Sequence, residues 1–221
     1  MQRVPEPELM SAEEQARAYA GADFEEPHGN FIRLLKERLP GLPEQGTALD
    51  LGCGPGDIGI RFARAFPGWK VHGLDGSAAM LALAREAVDA AGLAHRIELI
   101  EARLQDGRPP AAAYGLVFSN SLLHHLDDPA LMWESVRRHA QPGGQVFAMD
   151  LMRPESESRL GELAATFRGE PEVLQRDFRN SLRAAYRLGE VRLQLEEAGM
   201  SGLQVGPGSD RHLIVWGEIP V

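Results

Sequence analysis

The chain has 221 residues, of which 43% are hydrophobic and 25% charged, as expected for one α/β domain with a short addition. Its formal net charge of -9 argues against a protein that grips nucleic-acid backbone, because that binding depends on Lys and Arg neutralising phosphates. We therefore expect no nucleic-acid partner. The one cysteine, Cys53, excludes an internal disulfide.

The start of the chain lacks the features of a targeting segment. The first ten residues contain two Pro and two Glu and no apolar stretch, so a signal peptide is not predicted. No uncharged apolar run is long enough to span a membrane. The sequence therefore predicts a cytoplasmic protein with no membrane partner.

Residues 1–45 are predicted to form a helical arm or lid in front of the main domain. One helix is expected at residues 11–20, where Ser11 and Glu14 have the spacing of a capping box. A second is expected at residues 31–39, ended by Pro40 and Gly41. Before residue 30 the arm is polar and broken by Pro and Gly.

From residue 47 the pattern alternates between strands and helices. The predicted strands are 47–51, 69–75, 97–102, 116–119 and 145–151, the predicted helices are 57–66, 78–91 and 129–140, and a turn is expected at 142–144. Strands separated by helices of this length imply right-handed βαβ crossovers. The expected core is a Rossmann-like, doubly wound α/β sheet with helices on both faces.

The C-terminal third departs from this alternation. A helical insertion is expected at about residues 154–189, followed by a helix at 190–198 and short strands at 203–205 and 213–216. Two strands joined only by a loop pair antiparallel, because a parallel pair needs a longer crossover. The domain, residues 46–221, should therefore end in an antiparallel hairpin.

A glycine-rich loop at residues 52–56 lies between the first predicted strand and the next helix. In doubly wound sheets the ligand binds at the carboxyl ends of the strands, and glycines there let a ligand lie against the main chain. Asp75 ends the second strand, where a carboxylate can accept two hydrogen bonds from a ribose diol. The pattern indicates a cofactor that contains a nucleoside.

Two cofactors compete for this loop. The residues that fit the dinucleotide pattern G-x-G-x-x-G are Gly54, Gly56 and Gly59. With Asp75 downstream, that pattern would suit NAD. A methyl donor is favoured because the strand ends at Leu51, so that the turn begins at Gly52, and because Asp50 suits an ammonium group better than a pyrophosphate. A tight turn with no ligand is the remaining alternative.

The segment 49–56, Leu-Asp-Leu-Gly-Cys-Gly-Pro-Gly, closely resembles motif I of class I S-adenosylmethionine (SAM)-dependent methyltransferases. Asp75 matches the ribose-binding acid of that family. Residues 119–126, Ser-Asn-Ser-Leu-Leu-His-His-Leu, resemble the segment after the fourth strand in small-molecule members of the UbiE-like and methyltransferase-11 type. The likeness covers residues 47–152. It implies a seven-stranded, mostly parallel sheet, SAM as cofactor and a small-molecule methyl acceptor.

The resemblance also implies a set of cofactor-binding residues. They are Asp50, Gly52, Cys53, Gly54, Gly56, Asp75, Gly76, Ser77, Met80, Arg103, Leu104 and Asn120. Gly52 would line the methionine portion, Met80 would pack on the adenine, and Asn120 would offer its backbone carbonyl to the ammonium. The family often has an acid facing the adenine amine where this chain has Arg103. The backbone of Leu104 and apolar packing would then hold the adenine.

Three side chains are candidates for the chemistry. His124 and His125 follow the fourth strand, where a histidine could act as general base or contact the acceptor. The structural alternative is that one of them caps the loop or bonds Asp127 or Asp128. Tyr19 could close over the cofactor and face the sulfonium, or could simply anchor the arm. No metal is predicted, because further ligands cannot be named.

Three arginines are candidates for binding an anionic acceptor: Arg153, Arg179 and Arg211. Solvated surface charge is the alternative for each of them. Other functions remain open at this point, namely methylation of RNA or protein, SAM binding without catalysis, and NAD-dependent oxidoreduction. A homodimer is also left open.

Overall fold

The computed structural model describes residues 1–6, 13–111 and 113–219, without the side chains of Glu14 and Gln15. The predicted capping box at Ser11 therefore lies outside the described residues. The helix expected there is described as α1, Glu13–Ala20.

Seven strands form one sheet. They are β1 (Gly46–Leu51), β2 (Trp69–Asp75), β3 (Ile97–Glu101), β4 (Tyr114–Asn120), β5 (Ala140–Leu151), β6 (Gln204–Pro207) and β7 (His212–Glu218). Their order is β3-β2-β1-β4-β5-β7-β6. All pairings are parallel except those of β7, which runs antiparallel to both β5 and β6. The predicted fold class, a doubly wound sheet closed by an antiparallel hairpin, is confirmed.

Seven further helices cover the sheet and its ends. They are α2 (Glu25–Arg38), α3 (Asp57–Ala65), α4 (Ala78–Ala90), α5 (Ala130–His139), α6 (Glu157–Ala165), α7 (Glu172–Ala184) and α8 (Leu188–Glu197), with a 3-10 turn at Leu123–His125. Helix α2 begins six residues earlier than predicted. Pro27 lies in its first turn, where the missing N–H costs no helical hydrogen bond. None of the described helices combines the length and apolar character needed to cross a bilayer.

The turn predicted at residues 142–144 lies inside β5 as an irregularity of the strand. The register with β4 shifts between Tyr114 and Leu116. Gly143 has φ 71°, and a Cβ on Gly144 would lie 2.9 Å from the carbonyl oxygen of Tyr114. The glycines therefore let extra residues bulge out without ending the strand.

The sheet is buried on both faces, as a doubly wound fold requires. On one face α2 and α3 pack an aromatic cluster, in which Phe31 contacts Phe118 and Phe147 edge-on. The other face is covered by α5 and α8 around Trp133. In the region of the predicted insertion, α6 and α7 pack around Leu151 at the end of β5, and α7 also contacts α1 and the 3-10 turn. These contacts bring the helical segments above the carboxyl ends of the strands.

Candidate active site at the carboxyl ends of the strands

A cavity of about 300 Å³ lies at the carboxyl ends of β1, β2 and β4. Of the twelve predicted cofactor residues, all but Gly56 line it. Residues from α1, α2 and the loop between them form the opposite wall, among them Tyr19 and Phe24. Strand ends, glycine loop and arm therefore enclose one space.

The glycine loop turns immediately after β1. Gly52 has φ 69°, and its N–H and that of Cys53 both donate to the carbonyl oxygen of Leu74, at 2.8 and 3.1 Å. A Cβ on Gly52 would lie 2.8 Å from the side chain of Leu122. The turn therefore begins at Gly52, which is the register that favours a methyl donor.

Gly56 has a different structural role from the other glycines of the loop. It sits at the N-cap of α3 with φ 85°, and a Cβ there would lie 3.3 Å from Cβ of Ala84 on α4. Its bare backbone lets the two helices approach each other closely. We therefore assign Gly56 to helix packing beside the cavity.

Asp75 is held rigidly at the end of β2. Its Oδ2 accepts a hydrogen bond from the N–H of Gly54, and its Oδ1 accepts one from the N–H of Ser77, both at 2.8 Å. Burial raises the pKa of Asp75, and these backbone hydrogen bonds oppose the rise. Each carboxylate oxygen has a further lone pair, so the group can still accept hydrogen bonds from two adjacent hydroxyls.

Two buried oxygen atoms of residues that line the cavity lack donors. Asp50 is 1% exposed, and its Oδ2 has no hydrogen-bond partner among the described residues. The Oδ1 of Asn120 is likewise buried without a partner in the described ranges. Burial, with the Asp75 charge adding to it, raises the pKa of Asp50 well above its usual value. Because buried acceptors normally have partners, this pair fits a ligand that brings N–H groups and positive charge.

A second cavity of about 80 Å³ adjoins the first. The two share six lining residues: Tyr19, Phe24, His28, Asn120, Ser121 and His125. The remaining wall of the smaller cavity is largely apolar and includes Met149, Leu174 and Phe178. The arrangement provides a large compartment and a small one that meet at the end of β4.

Tyr19 stands between the two compartments. Its ring lies 4.8 Å from that of Phe24, which stacks in turn on His28 at 5.1 Å. Burial, followed by nearby carboxylates led by Asp150, raises the pKa of Tyr19 to about 12. The phenol therefore stays protonated near neutral pH, so that Tyr19 can pack or donate a hydrogen bond but is unsuited to accept a proton.

His124 is buried and paired with a carboxylate. Its Nδ1 lies 2.6 Å from Oδ1 of Asp150, whose Oδ2 accepts the N–H of Leu123 at 2.7 Å. The partner of His124 is thus Asp150, on β5, which the sequence alone did not indicate. Burial lowers the pKa of His124, but Asp150 and Glu6 outweigh this effect and the net pKa is raised. His124 lines only the smaller cavity.

His125 and Glu6 complete this group. Nδ1 of His125 lies 3.3 Å from Oε1 of Glu6, and Nε2 of His124 lies 3.5 Å from the same oxygen. That oxygen also accepts a hydrogen bond from Oγ of Ser181 at 2.8 Å. Burial raises the pKa of Glu6. Sequence reasoning missed Glu6, because nothing local marks a residue that meets its partners across more than a hundred positions.

Arg3 holds the segment 1–6 against this part of the molecule. Its guanidinium donates to the carbonyl oxygens of His124, Leu126 and Ala184, at 3.2, 3.0 and 2.6 Å. It also lies 4.1 Å from the ring centroid of Tyr186. Arg3 therefore fixes the path that carries Glu6 to the two histidines.

The three candidate arginines lie in different places. Arg211 lines the smaller cavity and pairs with Glu26 at 3.2 Å. Arg153 is buried, donates to the carbonyl oxygen of Ala185 at 2.8 Å and to the Glu190 carboxylate, and lines neither cavity. Arg179 is exposed on α7 and also lines neither. Of the three, Arg211 lines a described cavity and the other two do not, and its role in acceptor binding stays a prediction.

The sheet topology also distinguishes between the two candidate cofactors, SAM and NAD. The dinucleotide-binding fold has strand order 3-2-1-4-5-6 with no antiparallel strand inserted next to β5. Here β7 runs antiparallel between β5 and β6. Together with the turn at Gly52, this disfavours an NAD-dependent oxidoreductase.

Comparison with known proteins gives the same class. Residues 48–144 match the family described as a methyltransferase domain. Trans-aconitate 2-methyltransferase of Azoarcus sp. (strain BH72) is 35% identical over 130 residues, 59% of this chain and 48% of the relative. Ubiquinone biosynthesis O-methyltransferase of Sodalis glossinidius (strain morsitans) is 36% identical over 130 residues, 57% of this chain and 50% of the relative. The chain spans about half the length of the curated relatives it matches.

Solved structures share the fold over nearly the whole chain. A SAM-dependent methyltransferase from Aquifex aeolicus superposes with a TM-score of 0.68 at 22% identity, covering 94% of this chain and 98% of that one. The plantazolicin methyltransferase BpumL was solved with SAH (S-adenosylhomocysteine, the demethylated product of SAM). It superposes with a TM-score of 0.74 at 13% identity, covering 94% of this chain and 90% of that one. At these identities the likeness is evidence of fold only.

The glycine loop, the sheet order and the family match identify a class I, SAM-dependent methyltransferase fold. The match to the methyltransferase-domain family covers residues 48–144, less than half of the chain.

Proposed function

We propose that the protein transfers the methyl group of SAM to a small-molecule acceptor. The observation that carries this proposal is the pair of joined cavities. The larger one has the glycine loop and Asp75 in its wall, and the smaller one meets it at Asn120, Ser121 and His125. Methyl transfer needs such a junction, because the acceptor atom must lie in line with the methyl–sulfur bond.

The residues present fit the cofactor at both of its polar ends. Asp75 would accept hydrogen bonds from the ribose hydroxyls. Asp50 and Asn120 would face the methionine ammonium, which would supply the donors that their buried oxygens lack. Met80 and Leu104, both buried and in the cavity wall, would pack against the adenine. Bound SAM would supply an electrophilic methyl group.

The smaller cavity would receive the acceptor. Its volume of about 80 Å³ and its apolar wall suit a small molecule better than a folded protein or RNA. His125 lines both compartments and is therefore placed to contact the acceptor atom, with Tyr19 covering the junction. The chain's main contribution to catalysis would be alignment of the acceptor and exclusion of water.

Arg211 would bind an anionic group on the acceptor. Its guanidinium shares the smaller cavity with His212 and is paired with Glu26, whose side chain is 78% exposed and can exchange for a ligand anion. Several relatives, among them the one from Azoarcus, are named for trans-aconitate, an organic anion. An acceptor that carries a carboxylate is therefore the first class to test.

The test has a binding arm and a transfer arm. Calorimetry should detect binding of SAH and not of NAD. Transfer of radiolabelled methyl from SAM should then appear when the protein is incubated with a metabolite extract or a panel of small carboxylic acids. Binding of SAH without any transfer would make the chain a binding protein, and absence of SAH binding would overturn the proposal altogether.

A further inference from the structure

We propose that Glu6, His124 and His125 bind one divalent metal ion of the zinc type beside the acceptor cavity. Their ligand atoms, a carboxylate oxygen and one ring nitrogen from each histidine, all lie within 4.8 Å of one another. The group joins the segment 1–6 to the 3-10 turn Leu123–His125, so its ligands come from segments more than a hundred residues apart in the sequence. Metal binding as such does not depend on the proposed methyl transfer.

The spacing fits a tetrahedral ion. Oε1 of Glu6 is 3.3 Å from Nδ1 of His125 and 3.5 Å from Nε2 of His124. Bonds of about 2.0–2.2 Å to nitrogen and oxygen give a tetrahedron with edges of about 3.3–3.6 Å. Charge-assisted hydrogen bonds between such groups are shorter, at about 2.7–2.9 Å. The two distances from Glu6 are thus those expected between ligands of a shared ion, and the two histidine nitrogens lie within 4.8 Å of each other.

The surroundings orient these groups as metal sites usually do. Nδ1 of His124 is held by Asp150 at 2.6 Å, which directs Nε2 towards Glu6. Metal-binding histidines commonly use the second ring nitrogen in this way, and the carboxylate raises the basicity of the ligand. Asp150 is itself fixed by the N–H of Leu123 at 2.7 Å, and Glu6 by Oγ of Ser181 at 2.8 Å.

Charge and burial also favour a cation here. The side chains of Glu6, His124 and Asp150 are 10%, 3% and 5% exposed, and the Asp177 carboxylate lies close enough to raise the pKa of Glu6. Arg3 donates to the carbonyl oxygen of His124, and its guanidinium is occupied by this and two further backbone carbonyl groups. A divalent ion would neutralise this concentration of buried carboxylates, which burial otherwise destabilises.

Three protein ligands leave the fourth tetrahedral position open, as in catalytic zinc sites. His124 and His125 both line the smaller cavity, so a ligand at the fourth position could come from the acceptor. If the proposed function holds, an acceptor hydroxyl bound there would be oriented and made more acidic, whereas an acceptor carboxylate would only be oriented. The two histidines would then hold the ion, and neither would accept the proton.

Zinc binding can be measured on the full chain without any methyl-transfer assay. After removal of metals with a chelator, titration with Zn²⁺ should show one strong site per chain, and Co²⁺ should give the visible absorption of a tetrahedral complex. Glu6→Gln and His125→Ala should each weaken Zn²⁺ binding at least about tenfold, and Asp150→Asn about tenfold to a hundredfold, as expected for the partner of a ligating histidine.

Matched controls separate this site from adventitious zinc on surface histidines. His95 and Glu155 are exposed, and Glu155 contacts the segment 1–6 through its backbone carbonyl, which Glu155→Gln keeps. His95→Ala and Glu155→Gln should therefore leave both signals unchanged. Glu6→Gln keeps an oxygen that can accept the hydrogen bond from Oγ of Ser181, so circular dichroism should show a folded protein. The proposal would be overturned if Glu6→Gln and His125→Ala bound Zn²⁺ as tightly as the unaltered chain does, or if Co²⁺ gave no tetrahedral spectrum. The group would then be an ion-paired cluster. Binding of SAH, measured in chelator, decides the proposed function separately.

Discussion

At the residue scale, Asp75 is the side chain on which cofactor affinity should depend most. It is fixed by two backbone hydrogen bonds and still has acceptor capacity towards the cavity. Asp75→Asn keeps the shape but removes the charge and one acceptor. We expect SAH to bind about tenfold to a hundredfold more weakly, since a hydrogen bond to a charged group contributes about 1.5–3 kcal/mol.

Calorimetry with SAH measures this effect directly. Asp106→Asn is the matched control, because Asp106 is exposed and does not line the cavity. A dissociation constant for Asp75→Asn within twofold of the original would remove Asp75 from the ribose site.

Ser121, at the junction between the two cavities, has a strained backbone conformation. Its φ of 56° is left-handed, which costs a non-glycine residue about 1–2 kcal/mol. Ser121→Gly should remove that strain, although the more flexible unfolded chain offsets part of the gain. We expect the melting temperature to rise by about 2 °C, since 1 kcal/mol corresponds to about 2–4 °C in a chain of this size.

Thermal unfolding followed by circular dichroism tests the Ser121 prediction. Ser201→Gly serves as the comparison, because Ser201 is exposed and does not have positive φ. That variant should be no more stable than the original. A lower melting temperature for Ser121→Gly would mean that its side chain stabilises the junction more than its backbone strains it.

Which site residues were predictable depended on whether their signal is local. The glycine loop and Asp75 follow predicted strand ends, and the structure brings them to one cavity. Glu6 and Asp150 had no local signal, because their roles arise where distant segments meet His124. Arg153 looked available in sequence, but its partner Glu190 on α8 is a tertiary contact. The roles of the residues in the cavity wall stay predictions until ligands are tested.

At the scale of elements, the segment 1–6 should depend on Arg3. The N–H of Val4 donates to the carbonyl oxygen of Arg183 at 3.1 Å, and Arg3 adds three hydrogen bonds to carbonyl groups. Arg3→Ala removes charged hydrogen bonds worth about 1.5–3 kcal/mol each. We expect amide hydrogen exchange in residues 1–6 to become at least about tenfold faster, because local opening becomes easier.

Mass spectrometry of the exchanged peptides resolves this segment from the rest. The control is Arg33→Ala, which removes an exposed arginine of α2 that pairs with Glu37 and Asn30. Its exchange in residues 1–6 should be unchanged. Equal protection of the segment in Arg3→Ala would show that Arg3 does not hold it.

Element boundaries show where sequence patterns end and tertiary structure begins. The strand β2 was predicted with the bounds observed, because apolar residues and flanking turns coincide there. The helix α2 begins before its predicted start, because a proline that would break a helix interior is tolerated in the first turn, where Pro27 lies. The glycines at 143 and 144 predicted a turn, whereas pairing with β4 and β7 continues the strand around them as a bulge.

At the scale of the whole molecule, His212 should make the fold sensitive to acid. It is 6% exposed at the start of β7, and its Nδ1 lies 2.8 Å from Oγ of Ser209. Burial, followed by the charge of Arg211, lowers the pKa of His212 to about 4, against opposing effects from Asp150 and Asp210. Folding therefore requires a neutral imidazole where the unfolded chain would carry a charge.

The sign of the effect follows from proton binding in the two states. The unfolded chain takes up the proton near pH 6.5, but the native protein does so only near pH 4, so stability falls as the pH drops between these values. At pH 5 the loss from this one residue is about 2 kcal/mol. His212→Asn should reduce the difference in unfolding free energy between pH 7 and pH 5 by about that amount.

Urea unfolding at pH 7, 6 and 5 measures the predicted change. His95→Asn removes an exposed histidine instead, and its stability should fall with pH as in the original chain. If His212→Asn loses as much stability on acidification as His95→Asn, the acid sensitivity lies with other groups, such as Asp57 and Glu190, whose pKa values their ion-pair partners lower. Because β7 joins β5 to β6, a charge at its first residue acts on the pairing that closes the sheet. His212, which also lines the smaller cavity, would thereby limit the pH range of the fold.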